Sequence, residues 1–318
     1  MKFYRHIENF STLKNAIVTI GVFDGVHLGH QTIIDRMLEV AKETGGETVL
    51  VTFHPHPRMV LYEDCKFLKF IHSRSRKVDI LARTGIDYLI EIPFTKEFAQ
   101  IGAKEFVQDI LVNKIGAKHI IVGHDYHFGK GKEGSFEGLV EQGKEMGFTV
   151  EKVSPVKIDN IIVSSTEIRK ALHSGNINLA NKLLGYEYSI MGEVIYGHQL
   201  GRTIGFPTAN IEVPNKLKLV AANGVYACKI RWKEHNLIGM GNIGFRPTVN
   251  GNDLTIEVNI FDFNKDIYGD FLTVYFVDRI RDEMRFENLS ALQEQLKKDE
   301  ITVRKLLSEK KAWNGFTF

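Results

Sequence analysis

The sequence predicts an α/β domain with a mostly parallel sheet, followed by an antiparallel β-barrel and a terminal helix. Three observations carry this. Up to about residue 122, short apolar runs alternate with segments of helical spacing, the order expected of βα units. Beyond residue 188 the pattern becomes period two, broken by turns, as in a run of antiparallel strands. At 318 residues the chain exceeds one ordinary domain, and the change of period places the division between 1–185 and 186–318.

In chain order, IVTIG from Ile17 reads as a buried strand that breaks at Gly21 and leads into a helix over QTIIDRMLEVAKE. ETVLVTF is a second strand, ended by His54-Pro55-His56-Pro57. HSRSRKVDILARTG is helical, DYLIEI a strand, AKEFVQDILVNKIG helical and KHIIVG a strand. FTVEKVSP is a last strand. The later strands are YSIMGEVIYG, GVYACKIRW, LIGMGNIG, LTIEVNIFDF and DFLTVYFVD, and closing them into a barrel removes exposed strand edges. Residues 289–313 return to helical spacing and should pack on that barrel.

Composition bounds the partners. Forty-one basic residues face 39 acidic ones, which argues against the concentrated positive surface of a nucleic-acid binder. No apolar stretch is long enough to cross a bilayer, and no signal peptide is apparent. The two cysteines, Cys65 and Cys228, lie far apart and make no metal cluster, so the expected compartment is the cytoplasm. No obligate protein partner is evident.

The first string with chemical content is GVFDGVHLGH. Gly21 and Gly25 permit tight turns, and Gly29 removes bulk beside a ligand. A helix starting near His30 would aim unpaired N–H groups at the turn. That arrangement receives an anion, and His27 and His30 can both donate to phosphate oxygens. Asp24 either borders the site or caps its own backbone. His54 is held at a strand end by prolines. In GHDYHFGKGKEG, Asp125 can accept from a nucleotide hydroxyl or amine, while Tyr126 and Phe128 either cover a flat ligand or plug the core. Ser164 and Glu167 have capping-box spacing, so a helix should begin there, presenting Ser164, Ser165, Thr166 and Arg169 to phosphate.

GVFDGVHLGH resembles the signature of the nucleotidylyltransferase superfamily. Together with TFHPHP, GHDYHFG and SSTEIR it makes the first domain resemble the FMN adenylyltransferase domain of bacterial bifunctional flavin-nucleotide synthetases, over residues 17–184. The resemblance implies that Gly21, Phe23, Asp24, Gly29, His54, Asp125, Ser164, Ser165, Thr166 and Arg169 line an ATP and FMN site, with His27 and His30 on the ATP phosphates. Lys132 stands where many relatives carry arginine.

In the second domain, GRTIGFPTAN is similar to the ATP- and magnesium-binding signature of riboflavin kinases. The similarity implies nucleotide contacts from Gly201, Arg202, Gly205, Pro207, Thr208 and Asn210, with Thr208 and Asn210 toward Mg2+. Alternation on LTIEVNIF puts Glu257, Asn259 and Phe261 on one strand face. In the family the glutamate of this strand is the proposed base for the ribityl hydroxyl, whereas Asn259 replaces a histidine of many relatives. NIGFRPT and RDEMRF also match, and Arg281 either contacts phosphate or flavin or makes a surface ion pair with Glu283 or Glu287.

The resemblance therefore implies a nucleotidylyltransferase-type domain followed by a riboflavin-kinase-type barrel, using ATP and Mg2+ to convert riboflavin to FMN and FMN to FAD. Its partners are small-molecule flavins and ATP. The alternatives are a chain with one effective activity, or a non-catalytic flavin-binding or RNA-associated regulator.

Overall fold

The computed structural model describes residues 1–62, 68–124, 134–197, 200–248 and 251–309. The chain packs as two compact units, Met1–Ser165 and a second beginning at Thr166.

The first unit contains β1 (Lys2–Tyr4), β2 (Ala16–Ile20), α1 (Leu28–Thr44), β3 (Glu47–His54), α2 (Pro57–Leu61), α3 (Arg74–Ala82) and β4 (Tyr88–Pro93). A helical stretch, Ala103–Glu105 continuing through Phe106–Ile115, is α4. Then come β5 (Ala117–Val122), α5 (Phe136–Met146), β6 (Thr149–Lys152) and a small hairpin, β7 (Lys157–Ile158) with β8 (Ile161–Ile162).

Six strands pair in parallel in the order β1-β4-β3-β2-β5-β6. Every residue of β2 is buried, which is why it reads as a continuous apolar run rather than an alternating one. Helix α1 buries Ile33, Ile34, Met37 and Val40, one stripe at helical spacing, and stops at Gly45 in the left-handed conformation. Because β3 and β5 flank β2 on opposite sides, the chain reverses its winding direction at β2. Ligands of open parallel sheets gather beyond the strand ends at such a point.

The second unit takes α6 (Ser165–His173) beyond its first residue, α7 (Ile177–Leu184), β9 (Ser189–Ile195), α8 (Leu200–Thr203), β10 (Ala209–Glu212), β11 (Gly224–Trp232), β12 (His235–Thr248), β13 (Gly251–Ile260), β14 (Phe271–Arg281) and α9 (Leu289–Glu309). Its strands close as β10-β13-β12-β11-β14-β9, all pairs antiparallel. Helix α7 is tied to the barrel by Asn181, which donates to the Phe276 carbonyl at 2.8 Å and accepts from the Tyr188 N–H at 2.7 Å. The Ala222 N–H donates to the Leu172 carbonyl at 2.9 Å. These bonds explain why α6 and α7 group by contact with the barrel. Helix α9 places Val303 against Val225, Ala227, Met240, Phe261 and Val277 on the outer wall.

Among the elements without a sequence forecast are β1, α5 and β10. The two strands are too short for periodicity to register, and β10 lies inside the GRTIGFPTAN string. Helix α5 follows directly on the glycine-rich segment and opens on Ser135, whose hydroxyl accepts from the Gly138 N–H at 3.1 Å.

Candidate active sites

In the first unit, the segment after β2 runs through conformations that side chains rarely adopt. Phe23 has φ 54°, Gly25 φ 90° and Val26 φ 37°. A β-branched residue at positive φ is strained, at about 1–3 kcal/mol per residue, and persists only where surrounding contacts over-determine it. Here the contacts are explicit. Lys77 donates to the Val22 carbonyl at 3.1 Å, Gln31 to the Val26 carbonyl at 2.8 Å, and the Ser165 hydroxyl to the Asp24 carbonyl at 2.8 Å. The Asp24 carboxylate, buried, accepts from the backbone of Ile71 at 3.1 Å and of His72 at 3.4 Å. Asp24 thus clamps the approach to α3 onto the turn and does not merely cap its own backbone.

This turn delivers the histidines. His27 is the N-cap of α1, its Nδ1 facing the His30 N–H at 3.4 Å. The two rings stack with centroids 3.6 Å apart and 16° between planes, and Phe23 covers the other side of His30 at 4.6 Å. The Nδ1 atom of His30 is buried without a hydrogen-bond partner. Burial, reinforced by the charges of His27 and Lys77, holds the His30 pKa well below its ordinary value. A neutral imidazole is therefore the resting form, and its N–H can donate to an incoming oxyanion. A Cβ on Gly29 would sit 3.3 Å from the His27 ring and 3.6 Å from the Val163 carbonyl, so glycine lets the ring lie flat there. At Gly21 the neighbour of a Cβ would be the Phe23 ring, at 3.0 Å.

Beside them stand groups that sequence reasoning missed. Glu91, buried in β4, is held by both arms of Arg74, and Lys77 also donates to the Thr52 hydroxyl at 3.1 Å. His54 is exposed at the end of β3, with its pKa lowered first by desolvation. Ser164 immediately precedes α6, and Thr166 and Arg169 lie in its first turns. Asp125, Tyr126, Phe128 and Lys132 lie outside the described residues.

In the second unit, the 201–208 loop is closed on itself. The Phe206 N–H donates to the Gly201 carbonyl at 2.8 Å, and a Cβ on Gly201 would lie 2.2 Å from the Phe206 oxygen, so only glycine permits that approach. Gly205 completes the turn at φ 80°. Asn259 donates to the Pro207 carbonyl at 2.7 Å. Asn259 therefore holds the loop directly. Register places Asn210 opposite Glu257, Asn242 opposite Glu257 on the other side, and Met240 opposite Asn259. The Thr208 hydroxyl donates to Glu257 Oε2 at 3.2 Å.

Thr208 lines two cavities. One, about 360 Å³, lies between the barrel and α9 and includes Asn210, Met240, Glu257, Arg281, Phe286 and Leu296. The other, about 370 Å³, is bordered by Arg202, Pro207, Phe263, Lys265 and Tyr268. Of the two readings of Arg281, the surface pair with Glu283 or Glu287 gives way to a part-buried pair with α9. Its guanidinium makes bonds of 2.7 to 3.1 Å to Asp299 of α9, whose carboxylate also accepts from Gln295 at 2.8 Å. Arg281 still borders the first cavity, beside Phe286.

A parallel-sheet unit with a histidine pair at its switch point, joined to a barrel with a hydroxyl–carboxylate pair between two cavities, defines a two-site phosphate-transfer enzyme. Residues 9–167 match the family model for FAD synthetase and residues 184–307 that for riboflavin kinase. Among curated relatives, the bifunctional riboflavin kinase/FMN adenylyltransferase of Escherichia coli K12 is 37% identical, covering 96% of this chain and 97% of its own. The protein of that name from Buchnera aphidicola is 36% identical, covering 96% and 98%. A crystal structure from Streptococcus pneumoniae described as a macrolide-efflux protein superimposes with a TM-score of 0.88 at 34% identity, over 95% of this chain and 98% of that one. Among the described residues, no helix is long and apolar enough to cross a membrane. The chain belongs to the bifunctional riboflavin kinase/FMN adenylyltransferase family.

Proposed function

We propose that this chain phosphorylates riboflavin with ATP to give FMN and ADP, then adenylylates FMN with a second ATP to give FAD and pyrophosphate. The observation that carries the reading is the presence, in separately packed units, of one site built around a carboxylate and one built around a stacked histidine pair. The first reaction needs a group that accepts a proton from an alcohol. The second has an ionised phosphate as nucleophile and needs only donors for the departing charge.

For the kinase step, assigned to 186–318, riboflavin occupies the cavity under α9, where Met240, Phe286 and Leu296 cover its flat rings. The nucleotide occupies the neighbouring cavity, with Arg202 and Lys265 toward its phosphates and Phe263 and Tyr268 toward its base. Glu257 takes the proton of the ribityl hydroxyl as that oxygen attacks the γ-phosphorus, and Thr208, at the boundary of the cavities, orients the carboxylate. The Thr208 hydroxyl and the Asn210 amide oxygen are oxygen donors of the kind suited to Mg2+. Among the described residues there is no group of three or more His, Cys, Asp or Glu able to hold a metal, which fits an ion carried largely by substrate phosphates. Thr208 and Asn210 would hold Mg2+, which supplies charge neutralisation on the polyphosphate.

For the adenylyl step, assigned to 1–185, the FMN phosphate attacks the α-phosphorus in line and pyrophosphate leaves. His27 and His30 donate to the phosphates in flight, and Ser164, Ser165, Thr166 and Arg169 are assigned to the leaving group. The cytoplasm, where both substrates are available, is the compartment this reading requires. Incubating the protein with riboflavin and Mg-ATP and separating the products tests it: FMN, FAD, ADP and pyrophosphate are expected. Flavin binding without ADP or pyrophosphate release would overturn it.

A further inference from the structure

We infer that Lys77 is a positioning residue for adenylyl transfer, fixing the strained turn that carries the histidine pair. This rests on the adenylyltransferase reading above.

Lys77 reaches from α3 to the carboxyl edge of the sheet. Its ammonium donates to the Val22 carbonyl and the Thr52 hydroxyl, both at 3.1 Å, and the Thr52 hydroxyl itself donates to the same carbonyl at 3.3 Å. One lysine thus ties the last residue before the positive-φ run to the end of β3. Phe23 begins that run, and Phe23 lies against His30. Loss of this tether frees the turn at the point where its strain begins.

Charge supplies the second half. The charged and titratable groups around Lys77 are Asp24 from the turn, His54 from β3, Glu91 from β4, Arg74 from α3 and His30 from α1. Burial works against its charge, and the two carboxylates work for it. Arg74 occupies both oxygens of Glu91, and the Asp24 charge favours the Lys77 ammonium. An edge that receives polyphosphate cannot carry an uncompensated carboxylate without repelling its substrate. Burial first, then the charges of His27 and of this ammonium, hold the His30 pKa below its ordinary value.

The test compares Lys77→Met, which removes donor and charge, Lys77→Gln, which keeps an N–H donor, and Lys77→Arg, which keeps the charge. Wild type must first form FAD from FMN; if it does not, the functional reading fails, not this inference. Given that activity, Lys77→Met and Lys77→Gln should raise KM for ATP in FAD formation about tenfold or more. In both, the acid limb of the pH profile should move to higher pH, because His30 is released from repulsion. Lys77→Arg should restore the position of that limb. FMN formation from riboflavin should be unchanged in all three and serves as the internal control. An acid limb that stays at the wild-type pH in Lys77→Met, whether or not the rate falls, would overturn the inference. So would an unchanged KM for ATP.

Discussion

The Thr208 hydroxyl donates to Oε2 of Glu257 at 3.2 Å, joining the end of the 201–208 loop to the middle of β13. A loop residue and a strand residue 49 positions apart are held in one geometry at the boundary of two cavities. If Glu257 is the base, Glu257→Gln keeps the shape and removes the proton acceptor. FMN formation, followed as ADP release with riboflavin, should fall about 10²- to 10⁴-fold. FAD formation from supplied FMN should stay within about twofold, since the sites lie in separate units.

The stacked His27 and His30 rings give the opposite division. His27→Ala removes both a donor and the N-cap of α1, so FAD formation should drop by at least about a hundredfold. FMN formation should persist. Pyrophosphate release with FMN as acceptor is the direct assay.

Burying a histidine in neutral form makes stability depend on pH. The folded-state pKa of His30 lies below its unfolded value. Above about pH 6.5 neither form is charged and the residue contributes nothing; as pH falls further, the unfolded chain gains a proton that the folded chain refuses, so stability is lost. Melting temperatures of wild type and His30→Gln, measured at about pH 7.5 and about pH 5.5, should show a smaller fall on acidification for the variant.

Arg281 and Asp299 form the part-buried pair that fastens α9 over its cavity, with side chains 16% and 3% exposed. Removing one partner strands the other charge. Asp299→Ala should destabilise the barrel unit by about 3–5 kcal/mol, seen as an earlier urea transition. Riboflavin affinity should weaken with it, because Leu292 and Leu296 of the same helix line the cavity.

Gly201→Ala places a Cβ 2.2 Å from the Phe206 carbonyl oxygen, a contact that only a backbone shift relieves. The loop bond from Phe206 to Gly201 should open, and KM for ATP in the kinase reaction should rise at least about tenfold. The adenylyl reaction should be untouched.

The parts of this molecule that were legible in its sequence share a physical basis. Apolar periodicity marks α1, β2 and β13 because each buries one stripe, or both faces, over several residues. The His27–His30 spacing and the 201–210 string are legible because one local stretch supplies most of their geometry. Lys77 was not, since its partners Val22 and Thr52 lie 55 and 25 residues away and meet it only once α3 packs on the sheet. The same holds for Asp24, whose carboxylate bonds Ile71 at a separation of 47 residues, and for Asp299, 18 residues from Arg281. A turn aspartate and a helical aspartate carry no local sign that they will be buried against a distant donor.

The central claim is that two independent sites act in sequence on one flavin, and a crossed assay of two variants tests it most directly. Purified, folded His27→Ala and Glu257→Gln are each given riboflavin or FMN with Mg-ATP, and the products are separated. The account predicts that His27→Ala converts riboflavin to FMN and stops there, whereas Glu257→Gln leaves riboflavin untouched and converts FMN to FAD. If either single substitution abolished both conversions, the two-site account would be contradicted.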